Sequence, residues 1–550
     1  MFRGRLSLVV GLLGILLFSA VALGCTDIVV GKKASADGSV ITTHTCDCEY
    51  DSRLIVVPAQ DFPPGTMAPV YEGIIEAHKQ PLVKLGEIPQ VPHTYKYFNI
   101  GYPFANEHQV FIGETTIGGN PRTQNSERAI MTIEQLEVFA LQRAKTAREA
   151  IKIMGELAEK YGFRESCYLG EALTVTDPNE AWVFEVFGTG PLWTPESGKP
   201  GAVWAAQRVP DDHITCVPNV SRIGEIDPSD TENFMVCENY ITTAVELGLY
   251  DPNAGKPFIW RNVYGDAEHM STGSAVRLWR VFSTFAPSHD WKLEDAPNYP
   301  FSVKAEKPVS VSDVIAMLRD TYKGTPYDMT EQDPWYCNDP KLGRIKSPLA
   351  TPQIDPTWRA WLGITYYRPI ARYYCSYFFV SQARSWLPND LGVLWFGLDN
   401  PENSPFIPVF VGINDVPESW KHLDRTKVDR DSSWWAFALV DDLTNQYYGY
   451  LKVQLDKVLY PFQEEIFAVQ PAIEQVALEL YKTDPSLART FLTNYTSSVM
   501  IRAEKLYWGL VDKLLYELNN NRPDCGGYLY EKYLELLEKG DVECTICDEK

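Results

Sequence analysis

The residue with the clearest chemical potential is a cysteine at a predicted cleavage point near the N-terminus. Cys25 follows a basic start with two arginines, an apolar run over residues 6–23 and the small residue Gly24. A basic segment, a short apolar segment and a small residue at the cleavage point are typical of a secretory signal peptide. We therefore expect residues 1–24 to be a signal peptide and the mature chain to begin with Cys25.

A cysteine at a free N-terminus joins a nucleophile and a base in one residue. A thiol has an ordinary pKa of ~8.5 and an α-amino group one of ~7.7–8.0, so the amine is partly neutral near neutral pH. It can take the thiol proton and later return it to a leaving group, as in enzymes with an N-terminal threonine. The strand-like run Asp27–Val30 would hold the amine in place. The pattern thus indicates a nucleophile that carries its own base.

Two other interpretations of Cys25 compete with this one. In an exported protein the cysteine could form a disulfide bond. It could also be lipidated, as in a lipid-anchored binding protein, and acylation would remove both the nucleophile and the base. Lipoprotein signals usually place leucine three residues before the cysteine, whereas this chain has Ala22 there. Ordinary cleavage therefore fits the sequence better.

Short segments downstream of Cys25 occur in a characteristic order and spacing. They are Cys25-Thr26, residues 31–39, His44–Asp47, residues 106–109 and 113–116, residues 208–212 and 218–219, and residues 277–282. Together, over about residues 25–424, they resemble the dipeptidase A family of N-terminal nucleophile (Ntn) cysteine hydrolases. Penicillin V acylase and bile salt hydrolase are relatives of that family by fold.

The resemblance implies an α+β fold, the αββα four-layer sandwich of Ntn hydrolases. Patterns of strands, then helices, then strands agree with it. We expect a peptidase domain over residues 25–460 and a helical C-terminal region over residues 461–550. Apolar residues recur at helical spacing between 462 and 520, which predicts this appendage.

The resemblance also implies roles for residues that follow Cys25. Asp47 matches an acidic residue that orients the terminal amine, and a role as a turn or cap residue stays open. Many relatives carry arginine three residues before that aspartate, whereas this chain has His44 there. A histidine could still polarise the thiol, but its charge would titrate near neutral pH, where that of arginine would not. A purely structural role for His44 stays open.

Further residues are assigned to the site by the resemblance. Asn219 falls where fold relatives place a side-chain amide in the oxyanion hole, a donor that needs no change of its own charge. Arg277 matches an active-site arginine, although Arg280 lies three residues on, near the same helix face. Glu114 and Thr115 are in the segment that would line the substrate pocket. Glu114 could hold the ammonium group of the substrate or be an ordinary strand residue.

Composition limits the partners of the chain. Its 550 residues carry a formal net charge of −22, which argues against nucleic acid and anionic lipid as partners. No apolar run after the leader is long enough to span a bilayer. We expect small peptide substrates, no cofactor and no bound metal, and assembly into a homo-oligomer stays open.

The cysteine count is odd, which in an exported protein suggests one free thiol. If Cys25 is that thiol, the other ten could form five disulfide bonds. They are Cys46, Cys48, Cys167, Cys216, Cys237, Cys337, Cys375, Cys525, Cys544 and Cys547. The last two could instead be half of a metal site, but no second such pair accompanies them. Pairing of one of them with Cys525 is the better interpretation.

Periodicity and turn residues predict the elements that must position these groups. We expect strands at 27–30, from 40, at 54–57, 173–176, 181–187, 406–411 and 434–440. Capping-box patterns predict helices over 133–144 and 147–161. The C-terminal region should be helical over 462–520 and again near 528–537.

These predictions combine into one function. We expect an exported (periplasmic or extracellular) cysteine dipeptidase. Cys25 attacks the peptide carbonyl, Asn219 steadies the oxyanion and the Cys25 amine protonates the leaving amine. An acylase acting on a non-peptide amide is the alternative within this fold. A lipid-anchored binding protein is the alternative outside it.

Overall fold

The computed structural model describes residues 24–72, 82–124, 126–164, 169–339 and 343–520. Apart from Gly24, the predicted signal peptide lies outside these residues, as does the predicted helix near 528–537. So do the side chains of five cysteines, Cys167, Cys337, Cys525, Cys544 and Cys547. Within the described part of the chain, no helix is long and apolar enough to cross a membrane.

Strands dominate the chain before the first helix. They are β1 (Asp27–Val30), β2 (Ile41–Asp47), β3 (Ile55–Val57), β4 (Gln60–Asp61), β5 (Met67–Tyr71), β6 (Lys84–Pro89), β7 (His93–Thr94), β8 (Tyr97–Asn99), β9 (Ala105–Asn106) and β10 (Phe111–Ile117). Helices and a second group of strands follow, namely α1 (Ile133–Arg143), α2 (Ala147–Tyr161), β11 (Gly170–Thr176), β12 (Ala181–Gly188), β13 (Ala202–Val209), β14 (His213–Val217) and β15 (Phe234–Val236).

The remainder of the chain mixes short helices and strands before two long helices. Its elements are α3 (Tyr240–Glu246), α4 (Trp260–Val263), α5 (Thr272–Phe285), β16 (Val303–Lys304), α6 (Val311–Leu318), β17 (Tyr336–Asp339), β18 (Gly343–Lys346), α7 (Pro356–Leu362), β19 (Cys375–Gln382), β20 (Val393–Leu398), β21 (Ile407–Phe410), α8 (Ser433–Gln446), α9 (Tyr448–Thr483) and α10 (Pro485–Asn520).

Two antiparallel sheets form the centre of the molecule. The first has seven strands in the order β16-β14-β1-β2-β19-β20-β21, and the second has eight in the order β15-β13-β12-β11-β10-β9-β8-β3. In the first sheet β1 pairs with β14 and β2, and β2 pairs with β19, where Asp47 is opposite Cys375. Cys25 therefore lies directly before an interior strand.

The two sheets face each other, because β1 and β2 contact β10 and β11. Helix α2 packs on β11, β12 and β13 of the second sheet, and α5, α6, α8 and α10 pack on strands of the first. Each sheet thus contacts both the other sheet and a group of helices. This explains why β1, β2, β10, β11 and β12 are buried along their whole length. The architecture is a mixed helix and sheet fold of the α+β class.

Most predicted elements near Cys25 are confirmed. Strand β1 has the predicted bounds, α1 and α2 match the predicted helices to within one residue, and β11 and β12 form the predicted hairpin. Thr146 caps α2 by accepting a hydrogen bond from the Glu149 N–H, whereas Thr132 precedes α1 without a side-chain capping bond.

The predicted strand at 434–440 is wrong, because this segment belongs to helix α8. Its buried positions include Ser433, Ala436, Phe437 and Val440, which recur at the three- and four-residue spacing of a helix. A short apolar run cannot be assigned to strand or helix by hydrophobicity alone.

The predicted helical region over 462–520 is confirmed by α9 and α10, which are 36 residues each. Helix α9 begins at Tyr448 and runs across position 460, so the domain boundary proposed there stays a prediction. Helix α10 packs on α8, α9 and β21, which attaches the C-terminal region to the first sheet.

All six cysteines whose side chains the structure describes are free. They are Cys25, Cys46, Cys48, Cys216, Cys237 and Cys375. The prediction of five disulfide bonds is therefore wrong for five of the ten cysteines that it included. Four of these five are buried, where a thiol packs as a small apolar group.

Candidate active site

Cys25 is held between β1 and β10, with 1% of its surface exposed. Its Sγ donates a hydrogen bond to Oε2 of Glu114 over 3.4 Å. Its carbonyl oxygen accepts from Oγ1 of Thr115 at 3.4 Å and from Nη1 of Arg277 at 2.8 Å. Side chains on β10 and α5 therefore fix both the thiol and the backbone of this residue.

The surroundings of the Cys25 thiol oppose its ionisation. Burial, the neighbouring thiol of Cys46 and the carboxyl groups of Glu114 and Asp47 raise the pKa of Cys25 well above its usual value. A thiolate here would lack water and would lie close to other negative groups. The thiol is therefore neutral in this form of the chain, in which Gly24 is still attached.

Asp47, at the end of β2, forms an ion pair with Arg368, a residue that sequence analysis missed. Its Oδ2 accepts from Nη2 of Arg368 over 2.5 Å, and the two side chains are 1% and 3% exposed. Burial opposes the charge of Arg368, but the pairing with Asp47 outweighs it and raises the pKa of the arginine. Oδ1 of Asp47 is buried and has no hydrogen-bond partner among the described residues, so it is open to another donor.

The side-chain amide of Asn219 lies between two arginines and β10. Its Oδ1 accepts from Nη2 of Arg277 and from Nη1 of Arg368, each at 2.9 Å. Its Nδ2 therefore points away from the arginines, and it donates to Oγ1 of Thr115 at 3.0 Å and to the carbonyl oxygen of Thr116 at 2.9 Å. Both amide hydrogens are thus already used before a substrate binds.

Gly24 packs against the same amide. A Cβ atom at this position would lie 2.1 Å from Nδ2 of Asn219, so only glycine fits. Asn219 has a φ of 61°, a left-handed conformation that is uncommon outside glycine and is found at strained functional positions. Its amide donor is thus adjacent to the acyl side of the bond between Gly24 and Cys25.

Arg277, and not Arg280, is the arginine that reaches the site from α5. It is 1% exposed, and its guanidinium donates to oxygen atoms of Gly273, Cys25, Thr26, Pro218 and Asn219. Burial, together with the nearby charge of Arg368, lowers the pKa of Arg277 to about 9. Arg280 instead pairs with Asp320 at 2.7 Å in a partly exposed position.

His44 is a neutral buried residue. Its Nδ1 accepts from the backbone N–H of Glu114 at 3.2 Å and lies 3.2 Å from Oδ1 of Asp27. Burial lowers the pKa of His44 to about 3. Burial and the charge of Glu114 raise the pKa of Asp27 well above its usual value, which favours the neutral form of the carboxyl group beside the imidazole. The expectation that His44 would titrate near neutral pH is therefore wrong.

Glu114 belongs to a cluster of buried carboxyl groups behind Cys25. Glu171 on β11 and Glu134 and Glu137 on α1 complete the cluster, and none is more than 1% exposed. Burial raises the pKa of Glu114 to about 7, a hydrogen bond with Glu171 opposes the change, and the charge of Glu134 adds to it. Glu114 is thus protonated in acid and ionised in alkaline solution.

Three groups of the metal-ligand type meet at the thiol. The Sγ of Cys25, a ring nitrogen of His44 and a carboxylate oxygen of Glu114 lie within 4.8 Å of one another. Thiolate, imidazole and carboxylate are the ligands that Zn²⁺ takes in proteins. The set could hold zinc only after Cys25 loses its proton, and no second set of this kind occurs in the described part of the chain.

The structure brings all seven residues assigned from the sequence into one network. Cys25, Glu114, Thr115, His44, Asn219, Arg277 and Asp47 are linked directly or through Arg368. Asp27 and Arg368 were missed. No spacing points to Arg368, because it lies 321 residues from Asp47 along the chain.

Known proteins with similar sequences are peptidases. The chain matches Peptidase family C69 over residues 24–459. A probable dipeptidase of Latilactobacillus sakei is 25% identical over 468 residues, which cover 82% of this chain and 88% of that protein. A probable dipeptidase B of Lactococcus lactis is 23% identical over 511 residues, which cover 87% and 97% of the two chains. Because the family match covers well over half of the chain and includes the whole site, the chain belongs to peptidase family C69.

Proposed function

We propose that the chain is an exported cysteine dipeptidase with the αββα sandwich of Ntn hydrolases, in which Cys25 becomes the N-terminal nucleophile once Gly24 is removed. The observation that carries the proposal is the convergence of Asp47, Asn219 and Arg277 around the buried thiol. The family and the names of its dipeptidase relatives support a dipeptide substrate. Two facing sheets with helices on their outer sides support the four-layer fold.

Removal of Gly24 supplies the base that the thiol lacks. The new α-amino group has an ordinary pKa of ~7.7–8.0 and can take the proton that burial keeps on Cys25. Oδ1 of Asp47, which has no partner among the described residues, can accept a hydrogen bond from this amine. Arg368 holds the other carboxylate oxygen. Asp47 then orients the amine, and the amine acts as the base.

Attack by the Cys25 sulfur forms a carbon–sulfur bond and places a negative charge on the carbonyl oxygen of the substrate. Nδ2 of Asn219 can stabilise this charge by exchanging its bond to Thr115 for one to the oxyanion. Arg277 and Arg368 keep the oxygen of the Asn219 amide turned away from the oxyanion. Thr115 thus holds the Asn219 amide before the substrate binds. Its assignment to the substrate pocket stays a prediction.

Collapse of the tetrahedral intermediate breaks the carbon–nitrogen bond. The protonated amine of Cys25 gives its proton to the leaving amino acid, and the acyl group stays on the sulfur as a thioester. Water then attacks the thioester with the same amine as base, which releases the second amino acid and restores the thiol.

Glu114 is the proposed holder of the substrate ammonium group. Its Oε2 lies 3.4 Å from the Cys25 sulfur, and charge-assisted hydrogen bonds contribute about 1.5–3 kcal/mol. Glu114→Gln should therefore lower kcat/KM on dipeptides by about 10- to 150-fold. N-acetylated dipeptides lack the ammonium group, so they should be poor substrates of the wild type and change little. Equal losses of kcat/KM on dipeptides and on N-acetylated dipeptides would show that Glu114 does not hold the ammonium group.

A lipid-anchored binding protein fits the geometry less well. Acyl chains on Cys25 would have to leave a sulfur that is enclosed by protein, because the residue is 1% exposed. The leader pattern in front of Gly24 supports export to the periplasm or the extracellular space.

Mass analysis and a series of nucleophile variants test the proposal. We expect a mature chain that begins with unmodified Cys25. Cys25→Ala should abolish dipeptide hydrolysis, and Cys25→Ser should fold but keep little activity, because a hydroxyl is much harder to ionise than a thiol. Cys237→Ala changes another buried free cysteine and is the matched control, which should stay active.

Two results would contradict this function. Full activity of Cys25→Ala would exclude the mechanism. A wild-type preference for N-acyl amides over dipeptides would assign the site to an acylase.

A further inference from the structure

Arg372 is a buried cation without a counter-charge. It is 6% exposed, and it forms no ion pair with a carboxylate of the described residues. Its Nε is buried and has no hydrogen-bond partner in the same part of the chain. The guanidinium lies 3.7 Å from the centre of the Tyr374 ring. A buried charge is costly unless it is paired, so this position invites an anion.

Two more donors beside Arg372 lack acceptors. The hydroxyl of Tyr374 and Nε of Arg368 are buried without partners among the described residues. Burial raises the pKa of Tyr374 to about 12, and the charges of Arg372 and Arg368 both oppose the change. Arg372 lies on the ring of Tyr374, and Arg368 is four residues before Arg372 on the same segment. The phenol therefore keeps its proton. We call Arg368, Arg372 and Tyr374 the donor cluster.

The donor cluster borders the proposed active site. It lies on residues 368–374, which lead directly into β19, and the first residue of that strand, Cys375, pairs with Asp47. Arg368 itself bonds to Asp47 and Asn219. The cluster thus adjoins the site through Asp47 on β2, whereas Glu114 approaches Cys25 from β10.

We infer that the donor cluster binds the free α-carboxylate of the C-terminal residue of the dipeptide. The inference rests on the proposed dipeptidase function. The planar fork of a guanidinium matches a carboxylate in shape and charge, and a phenol adds a third donor. In a dipeptide this carboxylate is one residue beyond the scissile bond, about 3.3–3.6 Å of extended chain, so its receptor must border the nucleophile.

The two charged sites together predict a limit on substrate length. Glu114 receives the ammonium group on one side of the scissile bond, and the donor cluster receives the carboxylate on the other. A tripeptide places one of its terminal charges a residue too far away, so it can satisfy only one of the two sites.

Comparing a dipeptide with its C-terminal amide tests the receptor. The wild-type enzyme should have a kcat/KM on L-alanyl-L-alanine that is about 10- to 150-fold higher than on the amide, the range of one charge-assisted hydrogen bond. Arg372→Gln should remove most of this preference by lowering activity on the dipeptide alone. Arg372→Lys should keep part of it, because the charge remains and the fork is lost.

Arg359→Gln is the matched control. Arg359 stacks on the ring of Tyr366 at 4.1 Å, and the same ring is 5.9 Å from Arg372, but Arg359 is half-buried on α7. This variant should keep the wild-type preference. If Arg359→Gln lost as much of the preference for the dipeptide as Arg372→Gln, the assignment of the donor cluster as the carboxylate receptor would be overturned. Equal losses of dipeptide and amide hydrolysis in Arg372→Gln would overturn it as well.

Binding separates the inference from the proposed function. Calorimetry with Cys25→Ala measures the affinity for the dipeptide and for its amide without turnover. Tighter binding of the dipeptide that Arg372→Gln removes would support the receptor even if the wild type does not hydrolyse dipeptides. Equal affinity for the two ligands would overturn the inference even if dipeptide hydrolysis is established.

Discussion

Glu114 is a carboxyl group that folding makes harder to ionise. Its pKa is about 7 in the folded protein, against ~4.3 in an unfolded chain. At pH values between these two pKa values, Glu114 is protonated in the folded protein and ionised in the unfolded chain. The free energy of unfolding therefore falls as the pH rises through this range. This loss in the free energy of unfolding is complete above pH 7 and is on the order of 3 kcal/mol.

Glu114→Gln should remove this penalty, because an amide does not ionise. We compare the free energy of unfolding of the variant with that of the wild type at each pH. The difference should favour the variant by about 3 kcal/mol more at pH 8 than at pH 5. Urea unfolding at the two pH values measures the difference. Glu156→Gln, at a side chain that is 63% exposed, is the control and should show no such gain. An equal effect of Glu114→Gln on the free energy of unfolding at both pH values would refute the raised pKa of Glu114.

Arg368 is expected to position Asp47. Arg368→Gln leaves the Asp47 charge buried without its partner, so the free energy of unfolding should fall by about 3–5 kcal/mol. Arg368→Lys should recover part of this loss. The control is Arg280→Gln, whose partly exposed pair with Asp320 should be worth at most about 1 kcal/mol. Denaturant unfolding of the three variants compares them, and similar losses at both arginines would argue against a special role for Arg368.

Single residues were predictable from the sequence where a motif surrounds them. The placement of Asp47, Asn219 and Arg277 near Cys25 was predicted in this way. That of Arg368 was not, because its position depends on the pairing of β19 with β2. The charge state of His44 was mispredicted for a similar reason. Its ring is enclosed by aromatic residues that are distant in the sequence, namely Tyr102, Tyr377 and Phe379.

At the level of elements, the attachment of α10 depends on one face of the helix. Leu514 is fully buried, and its neighbour Leu515 is 50% exposed. Leu514→Ala should lower the free energy of unfolding by about 2–5 kcal/mol, because it removes buried methyl groups and leaves a cavity. Leu515→Ala should change it by less than about 0.5 kcal/mol. Thermal or urea unfolding measures both, and a comparable loss at Leu515 would mean that α10 packs through another face.

Elements with a clear hydrophobic pattern or a clear helix-capping residue were predicted well. The bounds of β1 and the start of α2 follow from an apolar run and from a capping threonine, both of which are local. Helix α8 was misassigned because its apolar residues are contiguous, and only its packing against β20 and α10 selects the buried face. The pairing of strands across the two sheets has no local signature, so the sheet order could only be implied by the resemblance.

At the scale of the whole molecule, a chain that keeps Gly24 should be inactive. Its nitrogen at Cys25 is an amide without a usable lone pair, and Gly24 occupies the space beside Asn219. Replacing the small residue Ala22 by tyrosine should block cleavage of the leader. Intact mass and dipeptide hydrolysis, measured on the same sample, test this expectation. An active uncleaved protein would show that another residue is the base, and Glu114, which accepts a hydrogen bond from the thiol, is the first candidate.

The contact between Gly24 and Asn219 also sets how maturation should appear in kinetic data. By the proposed mechanism, an uncut molecule should neither bind substrate nor turn it over, and a single cut should provide both abilities together. A partly matured sample should therefore have the normal KM and a maximal velocity proportional to the fraction of molecules that begin with Cys25. Because the released segment would not be rejoined, the proposed maturation should activate each molecule once, at the place and time at which the leader is lost.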